Sequence, residues 1–200
     1  MTRRSVHFLL AVVSCGSCAA HAQDLGSKCD PNRPTVDRAI ALRNAGELDA
    51  AERLLKPIVD GSKNSFGASY ILATIELSRG GNAADDGLNR LVQTERSLPN
   101  QSRECAKTLG WYSIYNTIGA QYYRRKNLDR SEDYLLRGYS HLDDMFDETK
   151  RLLLSNLGLL YFAKGNLDKS ISFYQQAQRA GSKDAANRAA VIGRIKRGTQ

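Results

Sequence analysis

A six-residue pattern that recurs along the chain limits the fold more than any other feature of the sequence. Three copies, which begin at Gly46, Lys126 and Gly165, share Leu-Asp at their third and fourth positions and Ala or Ser at the sixth; a fainter copy begins at Gly81. Each copy lies between two amphipathic runs with helical spacing. Three of these four copies begin with Gly, and a helix is commonly followed by a Gly in the left-handed conformation. The pattern therefore predicts four helix–turn–helix units, which must stack because one helix pair cannot bury its own apolar face.

The sequence around the last copy carries a longer signature, made of Leu157, Gly158, Tyr161, Gly165, Leu167, Ser170, Tyr174 and Ala177. These residue types and offsets resemble the tetratricopeptide repeat (TPR), and weaker versions extend the resemblance over residues 34–182. The signature has a glycine in its first helix, at Gly158 in the last unit; the first two units have Ala39 and Thr74 at that position. The resemblance implies an all-α, right-handed α-solenoid of about four antiparallel helix pairs with a C-terminal capping helix, as in exported bacterial TPR proteins.

Helical spacing and its punctuation predict nine helices. The step between the second and third copies is 45 residues, longer than the 35 and 39 of the other steps, so we expect a fifth helix that is about two turns longer than usual and carries Cys105. The region from 183 to 200 is interpreted as a basic capping helix and tail. The predicted helices span residues 35–45, 48–59, 66–79, 83–97, 102–125, 128–145, 149–163, 167–180 and 184–196.

The first 22 residues have the order of a secretory signal peptide. Arg3 and Arg4 give a positive start, residues 6–13 form a short apolar stretch, and residues 20–22 have the small-x-small form of a cleavage site. We therefore expect export, cleavage after Ala22, and a periplasmic or secreted mature protein. Two alternatives stay open: residues 12–15 resemble a lipoprotein box that would attach lipid to Cys15, and residues 2–5 faintly resemble a twin-arginine signal. No apolar run reaches the roughly 20 residues that a membrane-spanning helix needs.

Export would leave Cys29 and Cys105 as the cysteines of the mature chain. Two cysteines in an oxidising compartment predict a disulfide, with free thiols as the alternative. The bond would join residues 23–33, which are interpreted as an irregular N-terminal arm, to the start of the fifth helix.

The positive charge of the chain is concentrated at its C-terminal end. The whole sequence has 29 basic and 21 acidic residues. We interpret the last helix as a polar cap that seals the final repeat; contact with anionic lipid or nucleic acid is the less favoured alternative. Because the sequence has no nucleic-acid-binding motif, we expect no nucleic-acid partner. The basic residues after Asp184 are Arg188, Arg194, Lys196 and Arg197.

Motifs that carry catalysis or bind metal are missing from the sequence. There is no nucleophile elbow, zinc-protease motif or phosphate loop, and the acids around His141 lack the spacing of a calcium loop. We therefore expect no enzyme activity, no metal and no cofactor. The alternative is an enzyme that uses Cys105 as a thiol nucleophile with His141.

The TPR resemblance implies that the first helix of each pair lines a concave groove that binds a protein or peptide. Helical phase places a stripe beside the core of the third and fourth units, and its aromatic and Arg side chains are favoured types at protein interfaces. These features predict a non-enzymatic periplasmic scaffold, monomeric or part of a hetero-complex, such as those of envelope, pilus or secretion assembly; a lipid-anchored assembly factor is the alternative. The predicted partner-binding residues are Asn116, Tyr123, Arg124, Asn156, Leu159 and Phe162, and Arg43, Asn44 and Arg79 are weaker candidates from the first two units.

Overall fold

The computed structural model describes residues 27–61 and 65–198, so the predicted signal peptide at 1–22 lies outside the described residues. Over these two ranges the structure is all-α and has no β-strand. Residues 27–29 are helical. They are followed by α1 (Arg33–Asn44), α2 (Leu48–Val59), α3 (Phe66–Arg79), α4 (Gly81–Arg96), α5 (Arg103–Thr108), α6 (Ser113–Arg124), α7 (Leu128–Tyr139), α8 (Asp147–Ala163), α9 (Leu167–Arg179) and α10 (Ala185–Gly198), with 3₁₀ turns at Leu98–Asn100 and Leu142–Asp144.

The helices pair as the repeated pattern predicts: α1 with α2, α3 with α4, α6 with α7, and α8 with α9. These pairs form an α-solenoid of four units, and α10 packs on α9 at its C-terminal end. Seven predicted helices agree with the structure within two residues at each end, whereas those at 102–125 and 128–145 do not. None of the helices among the described residues is long and apolar enough to cross a membrane.

The six-residue pattern forms the turn inside each unit. Gly46 and Gly165 have φ of +84° and +74°, and Lys126 takes the same left-handed conformation at +58°. The next residue caps the second helix in two units, where the Asn127 and Asn166 side chains accept hydrogen bonds from backbone N–H groups of the first turn. The Asp that follows Leu lies in that first turn, where the helix dipole favours negative charge.

Small residues allow the two helices of a unit to approach. A Cβ atom added to Gly119 of α6 would lie 2.6 Å from Leu135 of α7, and one added to Gly158 would lie 2.9 Å from the Tyr174 ring. Ser170 is fully buried in α9 and donates a hydrogen bond of 2.7 Å to the Gly158 carbonyl. The small residues that the sequence singled out therefore mark the lines of contact within the pairs.

In the second unit the predicted register is wrong by one residue. A Cβ atom on Gly87 would lie 2.7 Å from the Ala73 carbonyl oxygen, so Ala73 occupies the small-residue position and Thr74 faces away from α4. The cause is a longer turn, in which Gly80 and Gly81 both have positive φ. Ala73 and Gly87 are therefore 14 residues apart, against 12 for Gly158 and Ser170.

The prediction of one long fifth helix is also wrong, because residues 109–112 interrupt it. Gly110 has φ +68°, and the Phe146 ring occupies the space that a Cβ atom there would need. The predicted helix 128–145 ends early at Tyr139. The short α5 is instead fixed to the 3₁₀ turn after α7, since Arg103 donates hydrogen bonds of 2.8 and 3.2 Å to both carboxylate oxygens of buried Asp144.

The N-terminal arm is held at two points. Cys29 and Cys105 form a disulfide, with their Cα atoms 5.4 Å apart, that joins the arm to α5. The buried Asp30 carboxylate accepts hydrogen bonds from the Ser65 hydroxyl (2.5 Å) and the Asn32 backbone N–H (2.9 Å). Ser65 is the N-cap of α3, so the arm ends where the helix dipole favours a carboxylate.

An ion pair repeats at the turn edge of the solenoid. In each unit, an acidic residue near the start of the second helix forms an ion pair with a basic residue of the next unit. That basic residue lies near the end of the next unit's first helix; for the last unit, it lies in α10. The distances are 2.5 Å for Asp49–Arg79, 2.7 Å for Asp85–Arg125 and 2.9 Å for Asp129–Lys164, and Asp168 binds Lys196. Exposed pairs of this kind contribute roughly 0–1 kcal/mol each. They link each unit to the next along this edge.

Candidate partner-binding groove

The first helices of the units, α1, α3, α6 and α8, are linked by side-chain hydrogen bonds along one face. Arg43 of α1 donates to the Thr74 hydroxyl of α3 at 3.0 Å. The Tyr70 hydroxyl of α3 lies 3.0 Å from the Thr117 hydroxyl of α6 and accepts from Ser113 at 3.2 Å. We call this face the groove face.

Two of the predicted binding residues meet on the groove face. Asn156 of α8 donates from Nδ2 to Oδ1 of Asn116 on α6 at 2.8 Å, and both side chains are partly buried. A primary amide has two N–H donors and an acceptor oxygen with two lone pairs. The pair therefore keeps hydrogen-bonding capacity for a peptide backbone while it links two units.

An apolar stripe lies beside this pair on α8. Leu152 is 52% exposed and Phe162 is 41% exposed, and the predicted residue Leu159, which lies between them in the sequence, is half-buried. A cleft of about 420 Å³ separates the Leu152 end of the stripe from the turn at 181–183 that precedes α10. Exposed apolar side chains of this size are typical anchoring points for a partner.

Tyr123 and Arg124 differ from each other in their surroundings. Arg124 is exposed. Tyr123 is half-buried and packs against the central core, so it is not purely a surface residue of the groove. A truncation of Tyr123 would affect both the groove and the packing.

The one-residue register error explains what the sequence interpretation missed. Tyr70 and Thr74 carry the groove face on α3, yet neither was among the predicted binding residues, and Thr74 was assigned to the small-residue position. Arg79, a candidate for the groove, binds Asp49 and Glu52 of α2 instead. The double glycine at 80–81 was the available signal for a longer turn.

The groups considered for catalysis have structural partners. The sulfur of Cys105 is bonded to Cys29 and is not available as a nucleophile in this state. The His141 ring stacks on Tyr112 and Tyr115, with ring centroids 4.3 and 5.8 Å apart. Within the described ranges no cluster of His, Cys, Asp or Glu has the arrangement of a metal site.

The position of His141 predicts a pH dependence of stability. Burial lowers the pKa of His141, although the nearby Asp144 carboxylate opposes the shift. Since the folded-state pKa is below that of the unfolded chain, about 6.5, the neutral ring stabilises the fold above that pH. This contribution is lost as the pH falls toward the folded-state pKa.

We expect the melting temperature to fall modestly between pH 7.5 and pH 5.5, and to fall less in His141→Gln. The Arg103 hydrogen bond lowers the pKa of Asp144, whose contribution to stability is therefore lost only in more acidic solution. Thermal unfolding followed by circular dichroism measures the effect. Equal slopes for the two proteins would show that His141 does not titrate as its surroundings indicate.

Comparison with known proteins identifies the fold. No protein-family model matches the sequence, and no curated protein sequence matches it.

Solved structures do match. PilF of Pseudomonas aeruginosa has 15% sequence identity and a TM-score of 0.64, and the match covers 84% of this chain and 69% of PilF. MamA of strain AMB-1 has 15% identity and a TM-score of 0.60, over 83% of this chain and 82% of that one. A thermophilic TPR protein of Thermus thermophilus has 20% identity and a TM-score of 0.59, over 88% of this chain and 91% of that one. The chain therefore has the fold of a TPR solenoid, as its repeat signature indicated.

Proposed function

We propose that this protein is a non-enzymatic, exported scaffold of the periplasm that holds a peptide segment or a partner domain in its groove. The TPR fold supports a role in protein–protein interaction. The signal-peptide pattern of residues 1–22 supports export. The Cys29–Cys105 disulfide agrees with this compartment, because disulfides persist under oxidising conditions.

One observation carries the binding proposal: polar and apolar binding groups lie together on α8. The Asn116–Asn156 pair offers amide groups for a peptide backbone, and Leu159 and Phe162 follow within two turns of the same helix. Rows of hydrogen bonds already fix the spacing of the helices, so a ligand would meet a preformed surface. Preformed surfaces bind with a smaller loss of conformational entropy.

Phe162→Ala tests the groove, with Leu136→Ala as a matched control. Both side chains are exposed to a similar extent, 41% and 38%, but Leu136 lies on the second helix of its unit. Loss of an aromatic hot spot costs about 2 kcal/mol of binding or more, whereas an exposed truncation costs within about 0.5 kcal/mol of folding stability. We expect Phe162→Ala to lose envelope proteins that the wild type captures from extract.

The control should keep those partners, and both variants should melt close to the wild-type temperature. Capture that is unaffected by Phe162→Ala and also by Asn156→Ala would place binding elsewhere on the protein. Turnover of a substrate by the purified protein, with no captured partner, would contradict the scaffold proposal itself.

A lipid-anchored form is the second candidate, because residues 12–15 resemble a lipoprotein box. Mass spectrometry of the mature N-terminus separates the two. A chain that begins at Gln23 supports the soluble form, and a lipid-modified Cys15 supports the anchored one. A role in envelope, pilus or secretion assembly is compatible with both forms.

A further inference from the structure

The last helix, α10, repeats the helical phase of α8 at an offset of 32 residues. Buried Ala185 and Ile192 stand 32 residues after Leu153 and Leu160, which are buried in α8. An independent contact gives the same offset: Lys196 binds Asp168 of the preceding helix as Lys164 binds Asp129. The helix is therefore the first helix of a fifth unit as well as a cap.

This phase places two exposed apolar side chains on the groove side. Val191 corresponds to Leu159, and Ile195 follows it by one turn; they are 44% and 41% exposed. On α8 the exposed apolar side chains are Leu152 and Phe162. By this phase, α8 and α10 both present exposed apolar side chains on the groove side.

The charges beside this lining are positive. Arg188 and Arg194 correspond to Asn156 and Phe162 at the offset of 32, which places both toward the groove side, and both are exposed. The Arg188 guanidinium also lies over the Tyr174 ring of α9, 5.9 Å from the ring centroid. Arg197 adds to the positive charge, whereas Lys196 is paired with Asp168, and α10 itself contains no acid. The nearby acids Asp147, Glu148 and Asp184 lie at the N-terminal ends of the two helices.

We infer that the C-terminal part of the groove, between α8 and α10, takes an acidic segment of a partner protein that carries apolar anchors. This inference rests on the proposed function and adds the chemistry of its ligand. Carboxylates of the segment bind Arg188 and Arg194, and its apolar side chains pack on Leu152, Phe162, Val191 and Ile195. An anionic membrane does not fit as well, because Arg188, Arg194 and Arg197 are fewer than the roughly 4–8 basic residues of a typical lipid-binding cluster.

Selection from phage-displayed random peptides on the full mature protein tests the inference. We expect the selected peptides to be enriched in Asp and Glu together with Leu, Ile, Val or Phe. For one selected peptide, Arg188→Glu/Arg194→Glu should weaken binding at least about tenfold in fluorescence anisotropy, since opposed charges disfavour the pairing. The matched control is Arg53→Glu/Arg96→Glu, which reverses two exposed charges on α2 and α4 and should leave affinity within about twofold.

Enrichment in Lys and Arg, selection without a charge preference, or equal weakening by the two double variants would each overturn the inference. So would binding to phosphatidylglycerol vesicles that the Arg188→Glu/Arg194→Glu variant loses, because the basic helix would then be a lipid contact. These outcomes leave the scaffold proposal standing if Phe162→Ala still releases captured envelope proteins. Its failure is seen separately, as capture that no groove variant changes.

Discussion

Tyr161→Ala should lower the free energy of unfolding by roughly 3–5 kcal/mol, the usual cost of truncating a buried aromatic side chain. Tyr161 is 4% exposed and stacks on Phe173 with ring centroids 5.4 Å apart. Its hydroxyl donates a 2.6 Å hydrogen bond to Glu132 of the preceding unit. The truncation would therefore open a cavity at the contact between two units. Urea unfolding followed by circular dichroism measures the loss.

Two further variants separate packing from hydrogen bonding. Burial and the Glu132 hydrogen bond raise the pKa of Tyr161 to about 12, so the hydroxyl stays protonated and donates at physiological pH. Tyr161→Phe keeps the ring and should cost about 1 kcal/mol, the usual net value of one hydrogen bond. The adjacent, exposed Phe162→Ala should cost within about 0.5 kcal/mol. If Phe162→Ala destabilises the protein as much as Tyr161→Ala, the helical phase of α8 and the groove built on it are wrong.

The turns of the repeat could be predicted from the sequence because their determinants are local. A left-handed Gly or Lys, an Asn cap and the following Leu-Asp lie within a few residues of one another. The contact glycines Gly119 and Gly158 could be predicted for the same reason, since each occupies a fixed offset from its turn. These features determined the helix pairs and the groove face on α6 and α8.

The junction between the second and third units depended on contacts that periodicity does not show. The break at Gly110 is filled by Phe146, and α5 is positioned by the Arg103–Asp144 hydrogen bonds across 41 residues of sequence. Residues 102–125 alone resemble a single helix because nothing within them reveals these partners. The binding residues on α3 were missed for a related reason, since their phase depends on the length of the following turn.

The binding role that we infer for α10 could not be predicted from its composition. Alternating Ala and basic residues are compatible with a solvated cap as well as with a binding helix. The contact between Lys196 and Asp168, together with the burial of Ala185 and Ile192, shows which side of α10 packs on α9, and our inference starts from that orientation. The exposed side chains acquire a role only once that orientation is known.

Loss of the disulfide is the other large effect that we expect. The Cys29–Cys105 bond closes a loop with a sequence separation of 76 residues. In the chain-entropy model, such a loop stabilises the fold by roughly 4 kcal/mol because it restricts the unfolded chain. Cys29→Ser/Cys105→Ser should therefore unfold at a clearly lower urea concentration than the wild type.

The remaining contacts of the arm determine where the weakened protein opens first. Asp30 still accepts hydrogen bonds from Ser65 and Asn32, so the arm keeps its attachment to α3 when the disulfide is absent. The short α5 is then held by the contacts of Arg103 and Lys107 with Asp144 and by buried Ala106, with no covalent link to the arm. We expect amide hydrogen exchange to rise most in α5 and little in α8 and α9.

Reductant should shift the urea midpoint of the wild type to that of the double variant and leave the double variant unchanged. A wild-type midpoint that reductant does not move would mean that the bond contributes little to stability or is not formed in the mature protein.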